Sequence, residues 1–191
     1  MQLVLWSVLV FGILPPGAVI MEERPLPAAL HKDRAIILWM TRAMDNPRSD
    51  GDGYTCPEFT RGSYRRGPTR ISLVDTAAHR IINTITVSEG DFDLPYRIES
   101  GLVYPVPGTP KGSEGKPQLI TLQDVDGDGV AAEFGLYDAT SCSGLDTYVY
   151  AYLQARDRIV QYPFLIHEWN DPSSVRLTLV LLSASHCCVS V

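Results

Sequence analysis

Three aspartates alternate with small residues in the stretch "DVDGDGVAAEF", residues 124–134. The three are Asp124, Asp126 and Asp128. Side chains at alternate positions of a turning loop can converge on one point, and carboxylates packed together repel one another unless a cation lies between them. Gly127 and Gly129 permit the tight backbone turn that such a loop requires. The stretch therefore predicts a site for a divalent metal ion.

Calcium is the ion that this loop favours, because it takes roughly six to eight hard oxygen ligands from carboxylates, carbonyls and water. The spacing offers two further ligands, the backbone carbonyl of Val130 and the carboxylate of Glu133. A catalytic metal needs an open coordination position and usually histidine ligands, and no histidine lies near this loop in the sequence. A structural calcium ion is therefore favoured. The alternative is a solvated Asp/Gly turn that joins two strands without metal.

The loop resembles the calcium loops of FG-GAP and VCBS-type repeats, which occur in integrin-like β-propellers. The resemblance covers about residues 117–140 and rests on the D-x-D-G-D-G core. In those repeats the loop lies between two strands and binds calcium structurally, so the resemblance implies the same role for the three aspartates. The stretch is not an EF-hand, because the position of the bidentate glutamate in that motif is Gly135 here and "EFGLYD" favours a strand.

The sequence contains no motif for nucleophilic or zinc-dependent catalysis. It lacks both the G-x-S-x-G nucleophile elbow and the H-E-x-x-H zinc helix. A hydrolase would have to assemble its site from distant residues, such as Cys142 in "SCSG" with His167 as the activating base. We therefore interpret the chain as a binding or structural protein, and a secreted hydrolase is the alternative.

The N-terminus carries an uncharged apolar run, "LVLWSVLVFGIL", at residues 3–14. The run is too short to cross a bilayer as a helix, but it has the length of a signal-peptide core. We predict a signal peptide and leader over residues 1–29, with Ala18 or Ala29 at its end, and no stable membrane span after its removal. The alternative is a buried first strand. Export predicts a secreted or periplasmic location at the cell envelope.

The cysteine pattern is consistent with export. Cys56 and Cys142 lack zinc-site spacing, and in an oxidising compartment they are the natural pair for a disulfide. The alternative is two free, buried thiols. The remaining cysteines, Cys187 and Cys188, are adjacent near the C-terminus.

Most segments have the composition and periodicity of strands. Residues 69–76 and 80–87 alternate apolar and polar side chains around a short turn, which predicts a β-hairpin. Residues 147–153 and 158–164 predict a second hairpin, with Tyr148, Tyr150 and Tyr152 on one face. We interpret that face as core rather than as a binding platform for sugars or proteins.

Further strands are expected at 35–41, 101–108, 117–124, 133–140 and 174–183. Long Gly/Pro-rich loops are expected at 43–68 and 106–117. This pattern predicts an all-β fold of antiparallel sheets, either a sandwich or a partial propeller-like arrangement. Residues 30–191 would form one mainly β domain, with a possible internal boundary at 106–117.

The net negative charge of the chain indicates which class of partner it does not favour. The formal net charge is -6, which argues against a nucleic-acid partner because phosphate binding needs a basic surface. Four arginines, Arg61, Arg65, Arg66 and Arg70, cluster in a glycine-rich segment, which we interpret as a solvated loop; the alternative is an anion site. A protein or a carbohydrate is the expected class of ligand.

Overall fold

The computed structural model describes residues 12–48, 62–90, 92–98, 117–138, 145–168 and 178–181. Within these ranges the chain is built almost wholly from strands in antiparallel sheets, so the all-β prediction is confirmed. Helical structure in these ranges is confined to one short helix, α1 (Ala28–His31), and one 3₁₀ turn, Gln154–Arg156.

Three sheets are present in the described part of the chain. Sheet A has the order β1-β2-β5-β6, formed by Val19–Pro25, Arg34–Met40, Thr69–Asp75 and Arg80–Ser88. Sheet B has the order β3-β4-β7, formed by Met44–Arg48, Gly62–Arg66 and Asp93–Ile98. Sheet C has the order β11-β10-β9-β8, formed by Thr178–Leu181, Arg158–Glu168, Leu145–Leu153 and Glu133–Asp138.

Strand β2 lies inside sheet A and is buried along its whole length. Its alternate residues Ile36, Leu38 and Met40 join a core that sheets A and C share. The intervening Ile37 and Trp39 pack in a second cluster on the other face of sheet A. A strand covered on both faces needs apolar side chains at nearly every position, which explains the unbroken "AIILWM".

Both hairpins predicted from the sequence are confirmed. β5 pairs with β6 across the turn 76–79, and β9 pairs with β10 across the 3₁₀ turn. In β9, Tyr150 and Tyr152 are 0% and 3% exposed, and Tyr148 is half-buried against the same core. The tyrosine face is therefore core, as predicted.

Two loop or strand predictions were wrong. The range 43–68 was expected to be a loop, but it contains β3 and β4, which pair with each other. Two of its arginines are paired rather than solvated: Arg66 makes a two-pronged contact with buried Asp93 on β7, and Arg65 contacts Asp45. Asp93 lies outside the range, 27 residues beyond Arg66, and Asp45 lies near its start, so the arginine cluster alone did not indicate either contact.

The second correction concerns residues 117–123, which we call the strap. A strand was expected at 117–124, but among the described residues the strap joins a sheet through one isolated bridge, Gln123 with Glu133. Leu119 and Ile120 of the strap are nevertheless buried in the shared core. The expected strand at 101–108 and the loop at 106–116 lie outside the described residues, as does the Arg61 side chain.

Strand β1 occupies residues 19–25, inside the range that the sequence assigned to the leader. It pairs with β2 from Val19 opposite Met40 to Pro25 opposite Ala35. Met21 and Leu26 are almost fully buried in the shared core. The predicted leader of residues 1–29 thus includes residues that pack in the described fold.

A set of ionic contacts, the inter-sheet clamp, joins sheet A to the tip of the β9–β10 hairpin. Arg34 Nη2 donates to Asp157 Oδ2 at 2.7 Å and its Nε donates to Oδ1 at 3.0 Å. Arg34 Nη1 also lies 3.1 Å from Asp75 Oδ2 at the end of β5. The Tyr152 hydroxyl donates to Asp157 Oδ1 at 3.0 Å. These contacts fix the two sheets against each other at one end.

Asn83 makes a second link between the same sheets. Its Nδ2 donates to the carbonyl of Ile159 at 2.8 Å, and its Oδ1 accepts from the backbone N–H of Ile159 at 3.0 Å. A side-chain amide here replaces the backbone partner that a neighbouring strand would supply. The position of β10 against β6 is therefore set by hydrogen bonds as well as by apolar packing.

Candidate metal site

The aspartate loop, residues 124–133, connects the strap to β8. Backbone hydrogen bonds between Gln123 and Glu133, of 2.7 and 3.1 Å, close its base. Gly127 and Gly129 have φ of +78° and +88°, a left-handed conformation that disfavours residues with a Cβ. The glycines therefore serve the turn in the way the sequence predicted.

Each loop aspartate accepts hydrogen bonds from the backbone that follows it. Asp124 accepts from the N–H of Gly127 at 2.8 Å and from that of Gly129 at 2.9 Å. Asp126 accepts from the Asp128 N–H at 3.1 Å, and Asp128 accepts from the Val130 N–H at 2.7 Å. A carboxylate has about four acceptor positions, so these bonds leave room for a cation. The backbone thus holds all three carboxylates in fixed directions.

The three aspartates converge as their spacing predicted. One carboxylate oxygen from each lies within 4.8 Å of the others, and all three side chains are exposed. Two oxygens that bind one calcium ion lie at most about 5 Å apart, twice the metal–oxygen distance of roughly 2.3–2.6 Å. The separations therefore fit ligands of a single calcium ion.

Glu133 lies beneath the loop rather than on its surface. It is 3% exposed, and its Oε2 accepts from the backbone N–H of Val125 at 3.0 Å. Burial raises the pKa of this carboxyl group, and the nearby charges of Asp126, Asp128 and Asp124 raise it further. A bound cation would offset both effects, because it favours the ionised form.

The backbone carbonyl of Val130 already accepts one hydrogen bond. Its oxygen accepts from the Ala132 N–H at 2.9 Å, in a tight turn that leads into β8. A carbonyl oxygen has two lone pairs, so one stays free for a further ligand. Its role as a metal ligand remains a prediction, as does that of Glu133.

Tyr162 on β10 contacts the loop and was not found from the sequence. Its hydroxyl donates to Asp126 Oδ2 at 3.0 Å. Burial, the hydrogen bond to Asp126 and the surrounding carboxylates raise the pKa of Tyr162 to about 12. The two residues are 36 positions apart, and no local pattern marks their contact.

The alternative hydrolase site, Cys142 with His167, remains a prediction. Cys142 lies outside the described residues, as do Cys56, Cys187 and Cys188. His167 is in β10, where it pairs with Asp146 of β9 and Thr178 of β11. The predicted disulfide between Cys56 and Cys142 likewise remains a prediction.

Comparison of the chain with family models, with curated proteins and with solved structures gave no match. By its structure the chain is an all-β protein with an exposed acidic loop between the strap and sheet C. Helices long and apolar enough to span a membrane are absent from the described residues.

Proposed function

We propose that this chain is an exported, calcium-stabilised β protein with a binding or structural role at the cell envelope. The observation that carries the calcium assignment is the convergence of three carboxylate oxygens within 4.8 Å on a loop whose backbone fixes their directions. The resemblance to FG-GAP and VCBS-type loops supports the same assignment.

The chemistry of the site supports a structural ion rather than a catalytic one. The candidate ligand cluster consists of Asp124, Asp126 and Asp128, all exposed. Its neighbours are a buried carboxylate and a tyrosine hydroxyl, Glu133 and Tyr162. Hard oxygen donors of this kind suit calcium, whereas hydrolytic zinc sites use histidine ligands around an open position. The ion would therefore hold the loop against sheet C without reacting.

Export and the class of partner rest on the sequence. The apolar run at 3–14 supports a signal peptide, and the net charge of -6 argues against nucleic acid. A protein or a carbohydrate is the proposed ligand class. The secreted hydrolase with Cys142 and His167 remains the competing proposal.

Calcium-dependent melting tests the proposed site. Calcium at 100 times its dissociation constant should stabilise the fold by about 2.7 kcal/mol, which is about 5–10 °C in melting temperature for a chain of this size. Magnesium should stabilise less, because it requires near-octahedral geometry. Identical melting curves in calcium and in chelator would show that the loop is only a turn.

A substitution that keeps the turn separates metal binding from loop geometry. Asp128→Asn retains a side-chain oxygen for the N–H of Val130 but loses one negative charge, so it should weaken calcium binding and reduce the calcium shift. Asp45→Asn is a matched control, because the Asp45 side chain is 65% exposed and lies outside the loop. An unchanged calcium shift in Asp128→Asn would contradict the proposal.

Peptide mapping of exported material tests the compartment and the disulfide together. We expect a cross-linked peptide that contains Cys56 and Cys142 under non-reducing conditions. Free thiols at both positions in exported protein would contradict the pairing. An alkylatable, low-pKa Cys142 would favour the hydrolase instead.

A further inference from the structure

Strand β1 has an irregularity that turns a carboxylate inward. Neighbouring residues of a regular strand point to opposite faces, yet Met21 and Glu22 are both buried, at 3% and 7% exposure. The register of β1 against β2 shifts between Ile20 and Glu22, which marks a β-bulge. Bulges re-aim side chains, and this one places the Glu22 carboxylate inside the protein.

Glu22 uses both carboxylate oxygens. Oε2 accepts from the backbone N–H of Leu119 in the strap, and Oε1 accepts from Arg24 Nη2 at 2.7 Å. Leu119 and Ile120 are buried in the shared core, where an unpaired backbone N–H would be unfavourable. Glu22 therefore supplies the partner that an adjacent strand would supply in a sheet. The strap that it holds leads directly into the aspartate loop.

The chain packs into the core on both sides of β1. Before β1, Leu14 is buried in the second cluster with Ile37 and Trp39, and Ala18 is half-buried against it. Met21, Leu26 and Leu30 belong to the shared core. Before β1, the exposed residues 15–17 form a turn in which the Ala18 N–H donates to the carbonyl of Pro15 at 3.1 Å. A break at this turn removes Leu14 from the second cluster but leaves β1 complete, whereas a break after residue 29 also removes β1, the bulge and Glu22.

We propose that the export leader ends at Ala18, so that hydrolysis of the Ala18–Val19 peptide bond leaves β1 in the exported protein, where Glu22 anchors the strap. Water is the second reactant. The products are a carboxylate on Ala18 and an ammonium group on Val19. The position of the cleavage rests on the export proposed above, whereas the role of Glu22 does not.

The intact mass of the exported protein tests the cleavage position. The full chain is expressed with its own N-terminus in an exporting host, and the mass and N-terminal sequence of the secreted or periplasmic protein are measured. We expect Val19 as the first residue. A first residue within β1, or at Leu30, would overturn the proposal, as would exported protein that retains residues 1–18.

Hydrogen exchange of the full chain tests the anchor without depending on export. Glu22→Ala should speed exchange of the Leu119 amide by about ten-fold or more, as expected for one lost hydrogen bond. Glu22→Gln keeps an acceptor oxygen and should restore most of the protection. Glu23→Ala, a half-buried neighbour on the same strand, is the matched control and should leave this amide unchanged.

The two measurements fail independently. Equal Leu119 exchange in Glu22→Ala and Glu23→Ala would overturn the anchor. If Glu22→Ala does not fold while Glu23→Ala does, the requirement for the anchor is supported. A chain that is never exported refutes the proposed location and the cleavage, and the exchange result then decides whether Glu22 holds the strap.

Discussion

Loss of a hydroxyl group should change the stability of the fold in opposite directions at two tyrosines on one face of β9. Tyr150 is fully buried, and among the described residues its hydroxyl has no hydrogen-bond partner. Tyr152 is 3% exposed, and its hydroxyl donates to Asp157 at 3.0 Å. Replacement of each by phenylalanine removes one oxygen atom and leaves the ring in place.

The structure sets the sign and size of each effect. A buried hydroxyl without a partner costs about 1–3 kcal/mol of desolvation, so Tyr150→Phe should stabilise the fold by about 1 kcal/mol. Its ring can still stack on Phe134, 5.7 Å away between centroids. Tyr152→Phe loses a hydrogen bond to a carboxylate that is 37% exposed. That loss should destabilise the fold by about 1–2 kcal/mol, toward the low end for charged partners.

Equilibrium urea unfolding of the two variants measures this difference. If the slope of the unfolding free energy against urea concentration is the same in each variant as in the wild type, only the stability has changed. Tyr150→Ala is the reference for lost packing and should cost about 3–5 kcal/mol, as other large buried aromatics do. A loss of more than about 1 kcal/mol in Tyr150→Phe would refute the reasoning, since it would mean that the hydroxyl makes a favourable contact.

The inter-sheet clamp gives two further predictions. Arg34→Met should destabilise the fold by about 2–3 kcal/mol in urea unfolding, because it removes the two-pronged contact with Asp157. Arg80→Met should change the unfolding free energy little, because the Arg80 side chain is 61% exposed and lies 3.8 Å from Asp75. Equal effects of Arg34→Met and Arg80→Met would refute the role of the clamp. The hydrogen bond from Arg34 lowers the pKa of Asp157, and backbone donors, chiefly the N–H of Ala78, lower that of Asp75. Because the pKa of Asp157 lies below the unfolded value of about 3.9, the stability that its contact with Arg34 supplies is present above about pH 4 and is lost as the pH falls through the lowered pKa. Unfolding curves of wild type and Arg34→Met should therefore converge in acid, and a constant difference down to the lowest pH at which the protein folds would contradict this.

The sequence predicted the elements whose evidence is local. The β5–β6 and β9–β10 hairpins combine alternating side chains with a short connection, so each carries its own signal. Strand β4 contains the arginines of "GSYRR" and was read as loop, because its stability comes from partners such as Asp93, 27 residues beyond Arg66. Strand β1 lies inside the range assigned to the leader, because that range was set by the apolar run at 3–14 and by a candidate end at Ala29.

The same distinction applies to the candidate site. The three aspartates and two glycines of the loop are adjacent, and their spacing is enough to predict convergence. The contact of Tyr162 with Asp126 depends on how β10 passes the loop, which no local pattern specifies. The strap was predicted as a strand from its apolar residues, but its buried N–H finds a side chain, Glu22, rather than a neighbouring backbone.

The clamp also bears on the order in which the chain folds. Arg34 and Asp157 are 123 positions apart, so their contact forms only after most of the chain has been synthesised. Contacts of such long sequence separation are typical of proteins that fold slowly, in milliseconds to seconds. Until then β2, with its unbroken apolar sequence, lacks the cover that sheet C provides. A nascent chain in this state exposes apolar side chains and is prone to aggregation until sheet C forms.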